Sequence, residues 1–203
     1  IALVDDLLSA DRALGAETSR RYCSEAQRQF LPDGGHYELC PMYHAKALAD
    51  LHDFRSVVKV SLAEDEAMQR LEEKALSWLE AVRLTGNQLA HFNDSWEIPD
   101  LEKEIRTRLG SSEQAPAITH LDTSGFARLR SPEGWQIVMD VGSVGPRFNP
   151  GHSHSDLCSI VAAYGEHIII DDPGVLHYSP NDERSFLKSA KAHNGPCLAD
   201  RDH

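Results

Sequence analysis

Two histidines alternate in Gly151-His152-Ser153-His154-Ser155-Asp156, followed at a distance by Asp171-Asp172-Pro173-Gly174 and then by His193-Asn194. Alternate residues of a β-strand share a face, so on a strand His152, His154 and Asp156 would project together. Imidazole and carboxylate at that density can move protons or hold a metal ion, and a plain core has no need of them. A chain with 11 histidines gives such spacing many chances to arise on a solvated strand. This run, however, lies between a Gly/Pro-rich approach, residues 142–151, and the apolar Ile168-Ile169-Ile170, where exposed imidazoles are out of place. It is read as a site.

The elements that must position it divide the chain in two. Up to about residue 109 the apolar spacing is helical, most clearly where Met68, Leu71, Ala75, Leu79 and Val82 recur at three- and four-residue steps within 62–84. A helix over 2–30 ends at Leu31-Pro32-Asp33-Gly34-Gly35, and another over 42–58 is entered through Pro41. After residue 115 the period shortens to that of strands: 118–130 and 135–141 about the turn Ser131-Pro132-Glu133-Gly134, then 157–164 and 167–170 about Gly165-Glu166. The expected fold is α+β, with a helical part over 1–112 and an antiparallel β part over 113–203.

Composition excludes some partners. A formal charge of −12 argues against a nucleic acid held on a broad basic surface. It leaves room for an anionic substrate held by local cations, such as Arg128, Arg130, Arg147, Arg184 and Lys188. No apolar run approaches the ~20 residues of a membrane span. The cysteines Cys23, Cys40, Cys158 and Cys197 form no C-x-x-C pair, and Cys158 reads as a small core residue of an apolar strand. Both ends look cut from a larger protein: residue 1 opens in mid-helix, and 199–203 follow a strand-like segment without a closing element.

In order along the chain, Pro32-Asp33-Gly34-Gly35-His36-Tyr37-Glu38, Pro41-Met42-Tyr43-His44, Phe92-Asn93-Asp94-Ser95, Asp140-Val141-Gly142, Gly145-Pro146, Pro150-Gly151-His152-Ser153-His154-Ser155-Asp156, Asp172-Pro173-Gly174, Tyr178, Arg184 and His193-Asn194 resemble the heparinase II/III family of polysaccharide lyases. The resemblance implies a multidomain α+β protein: the C-terminal part of an (α/α) toroid followed by an antiparallel β-sandwich, here truncated. It also implies a periplasmic or secreted bacterial protein acting on an acidic polysaccharide. The chain departs from the family at Leu39, where Glu-Arg-Ser-Pro is usual, at Lys188 in place of an arginine, and at Gly195 in place of a threonine. Contacts that need a bidentate guanidinium are affected by such changes, the fold is not.

A lyase of this kind removes the C5 proton of a uronate and expels the C4 oxygen, leaving a 4,5-unsaturated sugar. It needs a base, an acid and neutralisation of the carboxylate. The resemblance assigns Tyr43 as general acid, and as base too if a nearby cation lowers its pKa; its bland alternative is a half-buried aromatic at a helix start. His152 is its partner, as base or as the group that positions substrate. His154, Asp172 and His193, with Asp171 the register alternative, correspond to ligands of one structural zinc. His36, His44, Tyr178, Arg184 and Asn194 are expected to shape the saccharide cleft, with a structural salt bridge the alternative for Arg184. Asn93-Asp94-Ser95 reads as a helix cap. The carboxylate-neutralising Asn or His of the family belongs to toroid helices ahead of residue 1.

Two other functions stay open. A cupin-like metal enzyme would use both His152 and His154 as ligands on one strand, and a non-catalytic glycan-binding protein on a lyase scaffold would tolerate the departures at Leu39, Lys188 and Gly195. Low arginine content around the site disfavours a heavily sulfated polymer.

Overall fold

The computed structural model describes residues 12–84, 88–98, 100, 101, 103, 107, 116–198, 201 and 202. Its helical part contains α1 (Arg12–Gln29), α2 (Pro41–Val57) and α3 (Leu62–Val82). The first ten residues of the helix expected over 2–30, residues 2–11, lie outside the described residues. No helix of the described residues is long and apolar enough to cross a membrane.

Local chemistry fixes where each helix starts. Ser61 and Glu64 form a reciprocal capping box at the head of α3, where Glu64 and Asp65 also face the positive end of the helix dipole. α2 begins with Pro41 at its first turn, where the missing N–H is no loss, but Cys40 offers no side-chain cap. The cap comes from elsewhere in the chain: Met42 N donates to Ser95 Oγ at 3.3 Å. Packing follows the apolar stripes, with Ala45, Leu48, Leu51 and Phe54 of α2 buried alongside Met68, Ala75, Trp78 and Val82 of α3.

The β part is one antiparallel meander, β1 (Ile118–Leu121), β2 (Phe126–Arg130), β3 (Trp135–Asp140), β4 (Ile160–Tyr164) and β5 (His167–Ile170), in that spatial order. The single strand expected over 118–130 is two strands. Asp122-Thr123-Ser124-Gly125 turns between them because the Asp33 carboxylate accepts hydrogen bonds from Thr123 N (2.9 Å), Ser124 N (2.7 Å) and Ser124 Oγ (2.9 Å). The described residues form one sheet rather than a sandwich of two. Its outer face carries Ile118, Leu129, Trp135, Tyr164 and Ile170, all exposed.

The inner face packs on α3. Trp78 meets Phe126 edge-on at 5.5 Å and donates its indole N–H to Ser124 Oγ at 2.7 Å. Arg128, buried on β2, donates to the backbone oxygen of Glu80 at the C-terminal turn of α3, where a cation is favoured, and to Gln136 Oε1 at 2.9 Å. Gly34, at φ +96°, lies against α3 so closely that a Cβ would sit 2.3 Å from Lys74 O.

Two further expectations are corrected. His152, His154 and Asp156 are not on a strand: Pro150–His152 is a 3₁₀ turn, and β4 starts only at Ile160. Pro150 and Gly151 break the extended pattern, so period-two spacing there does not mean a shared strand face. Cys158 is exposed in a left-handed turn at φ +61°, not a core residue of the strand.

His44 and His36 tie the loop 31–40 to α3. His44 is fully buried against Trp78; its Nδ1 accepts from His36 N at 3.1 Å and its Nε2 donates to Ala75 O at 2.9 Å. Burial drives its pKa down to about 3, and burial followed by the His152 charge drives His36 down to about 4. A histidine with a depressed folded pKa binds fewer protons than its unfolded counterpart, so its stabilisation is complete above pH 6.5 and is lost as pH falls toward the folded value. Urea unfolding from pH 7.5 to 4 should therefore give stability that declines with falling pH. His44→Gln should flatten that slope by up to about 1 kcal/mol per pH unit, and an unchanged slope would contradict the assignment.

Candidate active site

A three-residue segment, Asn93-Asp94-Ser95, joins the helical part to the loops that precede and follow the last two strands. Asn93, held at φ +57°, donates its backbone N–H to Asp156 Oδ2 (3.0 Å) and its side-chain amide N–H to Leu39 O (2.9 Å); its Oδ1 accepts from His154 N (2.9 Å). Ser95 caps α2 and accepts from Val175 N at 3.0 Å. Between them the Asp94 carboxylate, fully buried, accepts from His152 Nδ1 (2.9 Å), His154 Nε2 (2.8 Å) and Arg184 (2.7 Å). Burial alone would raise its pKa, but the hydrogen bonds from His154, Arg184 and His152 outweigh that and hold it at about 2.

Asp94 orients the imidazole of His152. With Nδ1–H donated to the carboxylate, Nε2 is left with its lone pair directed away, 4.0 Å from Glu38 Oε1. The ring is partly exposed and lies 4.5 Å, centre to centre, from the ring of Tyr43. Tyr43 is the third residue of α2, so its position is set by the helix start that Ser95 caps. Its hydroxyl shares a 2.8 Å hydrogen bond with Tyr178 Oη. Arg184 lies 5.4 Å from the centre of the Tyr178 ring.

The expectation that a cation lowers the Tyr43 pKa is not met. Burial raises it, and Cys40, Asp94 and Glu38 add to that, more than the Tyr178 hydrogen bond offsets. Tyr43 keeps its proton at neutral pH and is suited to giving one.

Deeper in, two imidazoles each have a ring nitrogen with nothing to bind. His193 Nδ1 meets Asp172 Oδ2 at 2.7 Å, yet His193 Nε2, His154 Nδ1 and Asp156 Oδ1 are buried with no hydrogen-bond partner. The two rings are 5.4 Å apart; imidazoles sharing one tetrahedral ion at about 2.0–2.1 Å per nitrogen have ring centres roughly 5 Å apart. Carboxylates crowd the same place. Burial and then Asp156 and Asp172 push Asp140 well up, while burial and Asp172 push Asp156 up to about 6 against the pull of His193. As they stand, no three His, Cys, Asp or Glu donors among the described residues converge tightly enough to hold an ion. The chemistry of the set still fits a divalent cation: orphaned imidazole nitrogens, an orphaned carboxylate oxygen and uncompensated acidic charge, all buried.

The sequence matches the model described as "Heparinase II/III N-terminus" over residues 15–111 and the one described as "Heparinase II/III-like, C-terminal" over 113–203. The chain belongs to the heparinase II/III-like family. No curated protein matches it. Among solved structures it is similar to the heparan sulfate lyase HepC from Pedobacter heparinus, at 18% identity and a TM-score of 0.72 over 93% of this chain and 33% of that one. It is also similar to two structures of heparinase III: one at 17% identity and a TM-score of 0.73, covering 94% of this chain and 33% of that one, the other at 16% and 0.72, covering 91% and 35%. The chain thus spans about a third of the length of these neighbours, and at such identities the likeness is one of fold.

Within this heparinase II/III-like site, the expected residues divide. Tyr43, His152 and Tyr178 come together at one opening, and His154, Asp172 and His193 lie together beneath it. His36 and His44, expected to shape the cleft, are both buried and engaged in the loop–helix contacts described above. Asn194 is also occupied: its Oδ1 accepts from Ile160 N at 2.8 Å and its Nδ2 donates to Ile160 O at 2.9 Å, pinning the chain to the start of β4. Arg184 makes the salt bridge, with Asp94, rather than reaching into the cleft. The cupin arrangement, two histidine ligands on one strand, is not what forms: His152 and His154 lie ahead of β4, and each donates a ring N–H to Asp94. Asp94, read as a helix cap, is the residue sequence reasoning missed; its place in the ordered motif was the one signal available.

Because Asp94 compensates a buried guanidinium, Asp94→Asn should destabilise the fold by about 3–5 kcal/mol. Adding Arg184→Met should recover part of that loss in urea unfolding. A loss below about 1 kcal/mol in Asp94→Asn would mean that the charge is not what holds the segments together.

Proposed function

We propose that the chain carries the acid–base pair of a polysaccharide lyase that cleaves a uronate-containing polysaccharide by β-elimination. The observation that carries this reading is the facing pair of Tyr43 and His152, rings 4.5 Å apart at a partly exposed opening, each fixed by its own partner.

His152 Nε2 takes the proton from C5 of the uronate. The C5–H electron pair becomes the C4=C5 double bond, the C4–O bond breaks, and the leaving oxygen takes the proton of Tyr43. No water is consumed. Tyr178, hydrogen-bonded to Tyr43, aims that hydroxyl, and Asp94 stabilises the imidazolium that His152 becomes. With its pKa raised, Tyr43 holds its proton at neutral pH, which argues against its use as the base.

His154, Asp172 and His193 are the residues that would hold a structural zinc, with Asp156 beside them. Bound there, zinc supplies rigidity rather than reaction chemistry. The departures at Leu39, Lys188 and Gly195 do not weaken the catalytic reading. Leu39 gives its carbonyl to Asn93, Lys188 Nζ donates to Gly151 O at 2.9 Å beside His152, and Gly195 lies where a Cβ would come within 2.4 Å of Leu157 O. None of them belongs to the acid–base pair.

Tyr43→Phe keeps the ring and removes only the proton, so in the full-length protein turnover of an acidic polysaccharide, followed by the ultraviolet absorbance of the unsaturated product, should fall ~10²-fold or more with folding intact. An undiminished rate would assign the acid elsewhere. Metal analysis gives an independent check: about one zinc per chain, lost together with thermal stability in His193→Ala. Equal zinc in parent and variant would remove the ligand assignment.

A further inference from the structure

Beside the acid–base pair lies a feature the elimination itself does not use. A cavity of about 370 Å³ is lined by Trp96, Glu97, Val175, Leu176, His177 and Tyr178. Tyr178, one of its walls, is hydrogen-bonded to Tyr43, and Trp96 stands edge-on to Tyr178 with ring centres 5.7 Å apart. The cavity therefore shares a wall with the reacting end of the site. Leu176 is exposed on it, 68% accessible, beside the half-exposed Tyr178 and the partly exposed Trp96.

Lys46 sits at the joint. It follows Tyr43 by three residues on α2, which puts both on one side of the helix. Its Nζ lies 4.9 Å from the centre of the Trp96 ring and 5.3 Å from that of Tyr43. Such contacts hold an ammonium by the ring quadrupole without neutralising it. No carboxylate among the described residues pairs with it, in a chain with 32 acidic and 20 basic residues. Of the acids around the cavity, Glu183 pairs with His177 at 2.8 Å, and Glu97 is one of the lining residues. An ammonium clamped between two aromatic faces at the mouth of a glycan cleft is a preorganised anion receptor, and the indole offers a flat apolar surface to the C–H face of a sugar.

We infer that Lys46, Trp96 and Tyr178 form a subsite for an anionic sugar residue next to the scissile bond, Lys46 binding its carboxylate or sulfate and Trp96 stacking on its ring. This deepens the lyase reading and rests on it.

The test is a calorimetric titration of the full-length protein in a Tyr43→Phe background, which binds without turning over. The probes are tetrasaccharides from heparosan, N-sulfated heparosan, hyaluronan and alginate, each with its carboxyl-reduced counterpart. For the probe bound best, Lys46→Met should weaken the acidic form about tenfold, leave a form reduced at the carboxyl and free of sulfate nearly unchanged, and flatten the salt dependence. Lys46→Arg should restore binding. Trp96→Ala should weaken acidic and reduced forms alike. A carboxyl-reduced N-sulfated probe that still loses affinity in Lys46→Met would identify sulfate as the anion, still at this subsite. Equal affinity of Lys46→Met and its parent for every acidic probe would overturn the subsite and leave the lyase reading standing. Failure of the parent to bind any acidic probe would overturn both.

Discussion

A single buried negative charge organises this site. Removing a carboxylate from water costs several kcal/mol unless donors replace the lost hydration, and Asp94, with no accessible surface, recruits three such donors from two separate stretches of chain. His152 and His154 come from the turn before β4, and Arg184 comes from the short helix α4 (Asp182–Lys188). Each donor is thereby fixed in orientation as well as in place. The residues on either side of Asp94 extend the same logic to the backbone, Asn93 to Leu39 and His154, Ser95 to the head of α2.

That arrangement links the two imidazoles chemically. Donation of Nε2–H to Asp94 leaves His154 with a bare Nδ1 facing inward, the state a metal ligand needs. Donation of Nδ1–H leaves His152 with a bare Nε2 toward the opening, the state a base needs. The two histidines have opposite tautomers and opposite tasks because one carboxylate lies between them. Alternation in sequence would suggest equal roles, and it is the 3₁₀ turn ending at His152 that separates them.

Periodicity made most of the fold legible. α2, α3 and the three later strands fall close to the expected spans because their apolar residues repeat with a period that burial enforces. The split of 118–130 was not legible, since it depends on Asp33 receiving three hydrogen bonds from about ninety residues away. The same limit explains the site. Tyr43 and His152 emerged from the ordered motif. The burial of His36 and His44, the backbone pairing of Asn194 and the inward use of Arg184 are tertiary facts that residue type alone does not carry. Asp94 was the hardest case, because a lone aspartate after a helix has a sufficient local explanation, and only the converging donors reveal another.

The proposed acid and base sit on different halves of the chain, Tyr43 on α2 and His152 on the approach to β4, so the 4.5 Å between their ring centres is only as firm as the contact between helices and sheet. That contact is unusually polar for a core. Trp78 with Ser124, Asp33 with the β1–β2 turn, and Arg128 with the C-terminal turn of α3 are all buried or half-buried hydrogen bonds. Apolar packing tolerates sliding better than directional hydrogen bonds do, because an orphaned buried donor costs about 1–3 kcal/mol whereas a displaced methyl group finds other neighbours. The proposed elimination, which lifts a proton from one carbon and delivers another to the oxygen leaving its neighbour, tolerates little change in the spacing of its two groups. Polar fastening of the two halves, with Asn93-Asp94-Ser95 bridging them at the site itself, is the structural form that this requirement takes.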